Sequence, residues 1–102
     1  MIQDEQSQQL CVAVFETFFP TFIDHDGSLT VQEQALEFFD DVCWYDPDTD
    51  AESFDTDACR YHPLTEALDV RLYYRSGSPL WIERLVGGRW VTATLDDVRP
   101  SP

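Results

Sequence analysis

The sequence contains no lysine, and its first 59 residues contain no arginine either. All basic residues are arginines, and they lie between Arg60 and Arg99. Residues 1–59 carry 15 Asp and Glu and sum to −15 at neutral pH, whereas residues 60–102 sum to +1. Because residues 1–59 carry only negative charges, this half of the chain repels the phosphates of nucleic acids and of anionic membranes. Direct binding of either by the first half is therefore excluded.

Long apolar runs and an export signal are missing as well. No run approaches the roughly 18–20 apolar residues that cross a bilayer, and the start, Met-Ile-Gln-Asp-Glu, lacks the basic and apolar parts of a signal peptide. The three cysteines form no C-x-x-C pair and are odd in number. We therefore expect reduced thiols and a cytoplasmic protein.

Motifs of catalysis and cofactor binding are also absent. The chain has no P-loop, no dinucleotide-binding glycine pattern and no G-x-S-x-G. Cys59 and His62 lie close in sequence, but a nucleophilic cysteine needs electropositive surroundings, and the neighbours of Cys59 in sequence include acids. A zinc site from Cys43, Cys59 and His62 lacks a fourth ligand. We predict no enzyme, no cofactor and no metal.

The composition predicts a folded domain, since 43% of the residues are hydrophobic and 14% are aromatic. Apolar residues with helical spacing predict a first helix from about Asp4 to Phe19, which Pro20 ends. Thr30-Val-Gln-Glu33 has the form of a capping box and predicts a second helix that reaches about Cys43 or Trp44. A third short helix from about residue 57 to 68 completes the predicted helical half, residues 1–68.

The remainder, residues 69–98, predicts a three-stranded antiparallel meander. Val70–Tyr74 alternates, and Gly87-Gly88 marks a hairpin between strands at 80–86 and 89–95. Pairing outward from this turn sets Leu85 opposite Trp90 and Ile82 opposite Ala93. The fold class is thus α+β in a single domain, residues 1–102, with two or three N-terminal helices before the three strands.

The same pairing places three large apolar residues on one face of the meander: Trp81, Leu85 and Trp90. Either this face is covered, or it forms an exposed patch through which the chain forms a homodimer or contacts a partner.

The acids are concentrated, because eight of them fall between Asp40 and Asp57. On the second helix they form a stripe opposite the apolar flank. Beyond it Asp46, Asp48 and Asp50 alternate, and in an extended chain their carboxylates would lie roughly 6.5–7 Å apart. We interpret this region as a surface that meets the cations of a basic protein. The predicted partner-binding residues are Glu33, Glu37, Asp40, Asp41, Asp46, Asp48, Asp50, Glu52, Asp55 and Asp57.

Residues 22–33 also resemble an EF-hand calcium loop, with Gly27 at its sixth position. Asp24, Asp26 and Glu33 then take ligand positions, but Phe22 stands where the family has Asp. The same letters describe a turn followed by a capped helix.

In size, charge and clustering of carboxylates, the chain resembles small acidic inhibitors of bacteriophages and plasmids that imitate DNA, such as anti-CRISPR and anti-restriction proteins. The resemblance implies that carboxylates take the place of phosphates in the cationic channel of a nucleic-acid-binding target. One alternative is an immunity protein or antitoxin that covers a basic toxin and uses the tryptophan face as an apolar anchor. A second alternative is a calcium-binding domain built on the loop at Gly27.

Overall fold

The computed structural model describes residues 4–41, 44–53, 59–75 and 77–99. These ranges form three α-helices, a short 3-10 helix and six strands. The helices are α1 (Glu5–Phe18), the 3-10 helix Pro20–Phe22, α2 (Val31–Asp41) and α3 (Leu95–Val98). The strands are β1 (Trp44–Tyr45), β2 (Glu52–Ser53), β3 (Arg60–Pro63), β4 (Val70–Tyr74), β5 (Trp81–Val86) and β6 (Arg89–Ala93). No helix among the described residues has the length and apolar character needed to cross a membrane.

Helix α1 begins at Glu5, directly after its N-cap residue Asp4. The side chain of Asp4 accepts a hydrogen bond from the backbone N–H of Ser7 at 2.8 Å, which satisfies a donor of the first turn. Hydrogen bonds from the side chain and from the backbone N–H of Ser7 lower the pKa of Asp4. The helix ends before Pro20, as predicted, and buries Cys11, Val14 and Phe15.

Helix α2 begins with the predicted capping box. The N–H of Glu33 donates to Oγ1 of Thr30 at 3.1 Å, and the N–H of Thr30 donates back to Oε1 of Glu33 at 3.1 Å. The described helix is Val31–Asp41. Of its predicted end at about Cys43 or Trp44, Cys43 lies outside the described residues, and the bound at Trp44 is wrong because Trp44 is a strand residue. Trp44 lies in β1, and its indole N–H donates to the carbonyl oxygen of Phe39 at 2.9 Å. That bond holds β1 against the end of α2.

The sheet has six strands in the order β2-β1-β3-β4-β5-β6, all paired antiparallel, so the predicted three-stranded meander is wrong although the α+β class fits. Strands begin at Trp44, not near residue 69. The predicted helix over residues 57–68 is also wrong where the chain is described, because residues 60–63 pair with β4. The third α-helix instead follows β6, where Thr94 caps α3.

The β5–β6 hairpin follows the predicted register. Leu85 pairs with Trp90, and Ile82 pairs with Ala93. Gly87 and Gly88 have φ angles of 57° and 78°, as a type I′ turn requires.

The helices pack on one face of the sheet. The core joins Phe15 of α1 and Phe39 of α2 to Leu72 and Ile82 of the central strands. Arg60 of β3 points into this face with only 2% of its surface exposed, and its guanidinium carbon lies 4.9 Å from the ring centre of Tyr74. A polar side chain is thus part of the packed interior, shielded by aromatic rings.

Candidate functional site

The predicted acidic stripe of α2 is exposed where the structure describes it. Glu33, Glu37 and Asp40 are all exposed, but Glu33 is occupied by the capping box with Thr30. Glu37 and Asp40 make no hydrogen bond or ion pair with any described residue. Asp41 is the last residue of α2, and its side chain lies outside the described part.

Residues 46–51 form a tight turn between β1 and β2, so the carboxylate spacing that an extended chain would have does not apply to them. The N–H of Asp50 donates to the carbonyl oxygen of Asp46, and the N–H of Asp48 donates to Oδ1 of Asp46, each at 2.8 Å. The turn satisfies its own backbone and places Asp50 in the left-handed region, with φ 58°. Asp tolerates this conformation because its short side chain bonds locally.

The remaining predicted acids follow Pro47 in the sequence. Asp48, at the tip of the turn, and Glu52, in β2, are exposed, and their carboxylates make no hydrogen bond or ion pair with a described residue. Asp55 and Asp57 lie outside the described residues. Only two residues separate α2 from β1, and the Trp44–Phe39 bond holds the two elements together. The acids at the end of α2 and those of the β1–β2 hairpin therefore occupy neighbouring elements.

The described acids of the first half form no ion pair with any described residue. Both ion pairs in the described ranges use acids of the second half: Arg71 with Glu83, and Arg99 with Asp96. The last turn of α2 carries acids and no basic residue. This arrangement opposes the helix dipole, which favours cations at a C-terminus by about 0.3–1 kcal/mol each. The acids in this turn therefore do not stabilise the helix through its dipole.

The sheet face opposite the helices, here called the open face, is built around Arg71. Nη2 of Arg71 lies 2.7 Å from Oε1 of Glu83, and Nε donates to the same oxygen at 2.9 Å. The other carboxylate oxygen of Glu83 accepts the indole N–H of Trp81 at 3.0 Å. The guanidinium carbon lies 4.0 Å from the ring centre of Trp90 and 4.9 Å from that of Tyr61. Arg71 is thus neutralised and covered by aromatic rings.

A groove of about 650 Å³ opens beside Arg71. It lies between the β1–β2 turn and strands β3 and β6, and its lining includes Tyr45, Pro47, Asp50, Tyr61, Leu68 and Trp90. The hydroxyl of Tyr61 donates to Oδ1 of Asp50 at 2.5 Å, which fixes the carboxylate at the groove. Burial, together with this bond, raises the pKa of Tyr61 to about 12.

The predicted tryptophan face coincides with the open face. Trp81 and Trp90 are half-buried, and Leu85 is 41% exposed. The groove was not predicted from the sequence, because Tyr45 and Tyr61 lie in strands that were not predicted. The alternation of Arg71 and Tyr73 in β4 was the visible signal, since it marks the same face.

The loop at Gly27 has the form of a capped turn. The backbone N–H of Asp24 donates to the side-chain oxygen of Gln34 at 2.7 Å, and the Gln34 amide donates to the carbonyl oxygens of Asp24 and Leu29. Phe22, at the position where an EF-hand has its first ligand, is 62% exposed. Within the described ranges, no group of three or more His, Cys, Asp or Glu side chains is arranged to hold a metal ion.

Cys11, which is buried, and His62, which is partly buried, have no catalytic arrangement among the described residues. Burial, and next the charge of Asp40, raises the pKa of the Cys11 thiol to about 12, which keeps it protonated. His62 lies on the helix-facing side, with its ring 5.7 Å from Phe39 and 5.9 Å from Trp44. Burial lowers its pKa to about 4, so the imidazole is neutral at physiological pH.

Comparison of the chain with protein-family models, with curated proteins and with solved structures finds no match.

Proposed function

We propose that this protein binds a basic protein partner through carboxylates of α2 and of the β1–β2 hairpin, and that it thereby occupies a nucleic-acid-binding surface of that partner. The observation that supports this proposal most directly is a set of exposed acids whose carboxylates make no hydrogen bond or ion pair in the described part of the chain: Glu37, Asp40, Asp48 and Glu52. We call these four residues the acidic surface.

The acidic surface lowers the stability of the free protein. Carboxylates of one sign repel one another, and those near the end of α2 also oppose the helix dipole. A partner that supplies arginine and lysine removes both costs on binding, which favours rapid, salt-sensitive association. Because the 46–51 turn is compact, the proposal requires a cluster of charge and not the regular spacing of phosphates along one strand. The reduced thiols of Cys11 and Cys59 suit a reducing compartment such as the cytoplasm.

The test compares two variants with the same net charge. The surface variant carries Glu37→Gln, Asp40→Asn, Asp48→Asn and Glu52→Gln, none of which removes a hydrogen bond among the described residues. The matched variant neutralises four exposed acids elsewhere. Its substitutions are Glu5→Gln, Glu16→Gln, Asp26→Asn and Glu66→Gln.

Each set takes the net charge from −14 to −10. The immobilised wild-type protein is used to capture partners at low salt, and duplex DNA is then added as a competitor. We expect a nucleic-acid-binding protein that DNA displaces, with capture lost in the surface variant and kept in the matched one. Equal capture by both variants would show that only total charge matters and would end the proposal.

The open face favours a second candidate, an immunity protein or antitoxin that covers a basic toxin. This candidate is supported by Trp81 and Trp90, which are half-buried and lie beside the exposed Leu85. Apolar residues of this kind often contribute most of the binding energy of an interface. Trp81→Ala and Trp90→Ala discriminate the two. Lost capture by a folded double variant, with a single small toxin as partner, supports this second candidate.

A further inference from the structure

We propose that the groove between the β1–β2 turn, β3 and β6 binds the guanidinium of an arginine presented by the protein partner. This inference deepens the proposed function and rests on it, because it gives the basic partner a defined anchoring site beside the acidic surface.

The carboxylate of Asp50 is positioned to receive a cation. One of its oxygens, Oδ1, accepts the hydroxyl of Tyr61 at 2.5 Å, and the backbone N–H of Asp50 is held by Asp46 at 2.8 Å. Oδ2 makes no hydrogen bond with a described residue. The carboxylate is therefore oriented by one oxygen and able to accept a donor with the other. Orientation before binding reduces the entropy that a contact costs.

The walls of the groove are aromatic. Tyr45 and Tyr61 lie with ring centres 5.8 Å apart, and Trp90 lines the groove as well. Aromatic faces attract planar guanidinium groups, and arginine uses such faces more often than lysine does. A carboxylate beside aromatic rings is the combination that recognises an arginine.

The open face already holds one guanidinium by this chemistry. Arg71 lies over the rings of Tyr61, Tyr73 and Trp90 and is paired with Glu83. Because Glu83 neutralises Arg71, the unpaired charge in the groove is that of Asp50. The total charge of −14 adds to it. An anionic ligand is therefore disfavoured, and a cationic one is attracted.

The probe is a five-residue peptide, acetyl-Gly-Ser-Arg-Ser-Gly-amide, titrated into the full-length protein at low salt and followed by NMR. Three further peptides replace its arginine by citrulline, lysine or glutamate. Citrulline keeps the shape of arginine without the charge. We expect saturable shifts at Tyr45, Tyr61 and the Trp90 indole with the arginine peptide, weaker shifts with lysine, and none with citrulline or glutamate.

Two single substitutions locate the contact. Asp50→Asn keeps an acceptor for Tyr61 and suits a left-handed position, so the fold is retained. We expect about fivefold weaker binding of the arginine peptide, the scale of one partly exposed cationic contact. Glu16→Gln removes the same charge from α1 and should leave binding unchanged. Trp90→Leu provides a second check, because it removes the aromatic wall and should also weaken binding.

The outcomes separate this inference from the proposed function. Shifts confined to α2 and the turn, equal effects of Asp50→Asn and Glu16→Gln, preference for the glutamate peptide, or no binding would each overturn the arginine site. So would concentration-dependent shifts of the open face without peptide, which indicate a second copy of the chain there. The charge-matched capture experiment would still stand on its own result.

Discussion

The hydroxyl of Tyr61 donates a hydrogen bond to Oδ1 of Asp50 at 2.5 Å and joins the acidic turn to the open face of the sheet. Burial is the first cause that raises the pKa of Tyr61 to about 12, and the bond to Asp50 is the second. We therefore expect Asp50→Asn to lower the pKa of Tyr61 while leaving it above its ordinary value of 10. NMR of the tyrosine ring carbons against pH measures this, and an unchanged pKa in the variant would show that Asp50 does not contact Tyr61 in solution.

A second hydrogen bond joins the first turn of α1 to Leu80, the residue that precedes β5. The backbone N–H of Leu80 donates to Oγ of Ser7 at 2.9 Å, and Ser7 is only 2% exposed. Ser7→Ala leaves that N–H buried without an acceptor, so we expect a loss of about 1–3 kcal/mol in the free energy of unfolding. Ser78→Ala is the control, because Ser78 is exposed. Urea denaturation measures both, and equal stability of the two variants would contradict the role of Ser7.

Stability should depend on pH through His62. Burial lowers the pKa of its imidazole from 6.5 to about 4 in the folded state. Below pH 6.5 the unfolded chain takes up a proton that the folded chain does not. The contribution of neutral His62 to the free energy of unfolding is therefore complete above pH 6.5. It is lost as the pH falls toward 4, by up to about 3 kcal/mol. His62→Phe should flatten this part of the stability profile.

His25 offers the control for that measurement, since it is exposed. His25→Gln should leave the loss between pH 6.5 and 4 in place. A profile that flattens with His25→Gln, or one that stays steep with His62→Phe, would assign the pH dependence to other groups.

Screening of the acids should stabilise the fold. Raising the salt from about 0.01 M to about 0.1 M shortens the Debye length from about 30 Å to about 10 Å. With a net charge of −14, we expect the free energy of unfolding to rise by about 1 kcal/mol on that change. The surface variant should gain less than wild type. A salt response that is the same in both proteins would mean that Glu37, Asp40, Asp48 and Glu52 do not repel one another appreciably.

Elements that are marked by a local sequence pattern were predictable from the sequence. The helical spacing around Val14, the capping box at Thr30 and the glycine pair at Gly87 each determine local geometry through short-range interactions, and the structure agrees with them. Such signals need no knowledge of the rest of the chain.

Strands β1 to β3 were not predictable in the same way. Their inward positions include Arg60 and His62, and their outward positions include Tyr61, so the usual alternation of apolar inside and polar outside is reversed. The two-residue strands β1 and β2 are too short to show any period. β1 pairs with β3 and β3 pairs with β4, and aromatic rings shield the polar groups, so the structure of these strands depends on residues distant in sequence.

The candidate site follows the same division. The sequence predicted the exposed acids of α2, since helical spacing separates them from the apolar flank. It did not predict that Asp46 and Asp50 close a turn, nor that Asp50 reaches Tyr61 across the sheet.

The most direct measurement of the central claim is the salt dependence of binding to the captured partner, compared between the surface variant and the matched variant of equal net charge. If the acidic surface contacts the partner's cations, the surface variant binds weakly and shows a shallower salt dependence, while the matched variant behaves as wild type. Identical affinities and slopes for the two variants would contradict it.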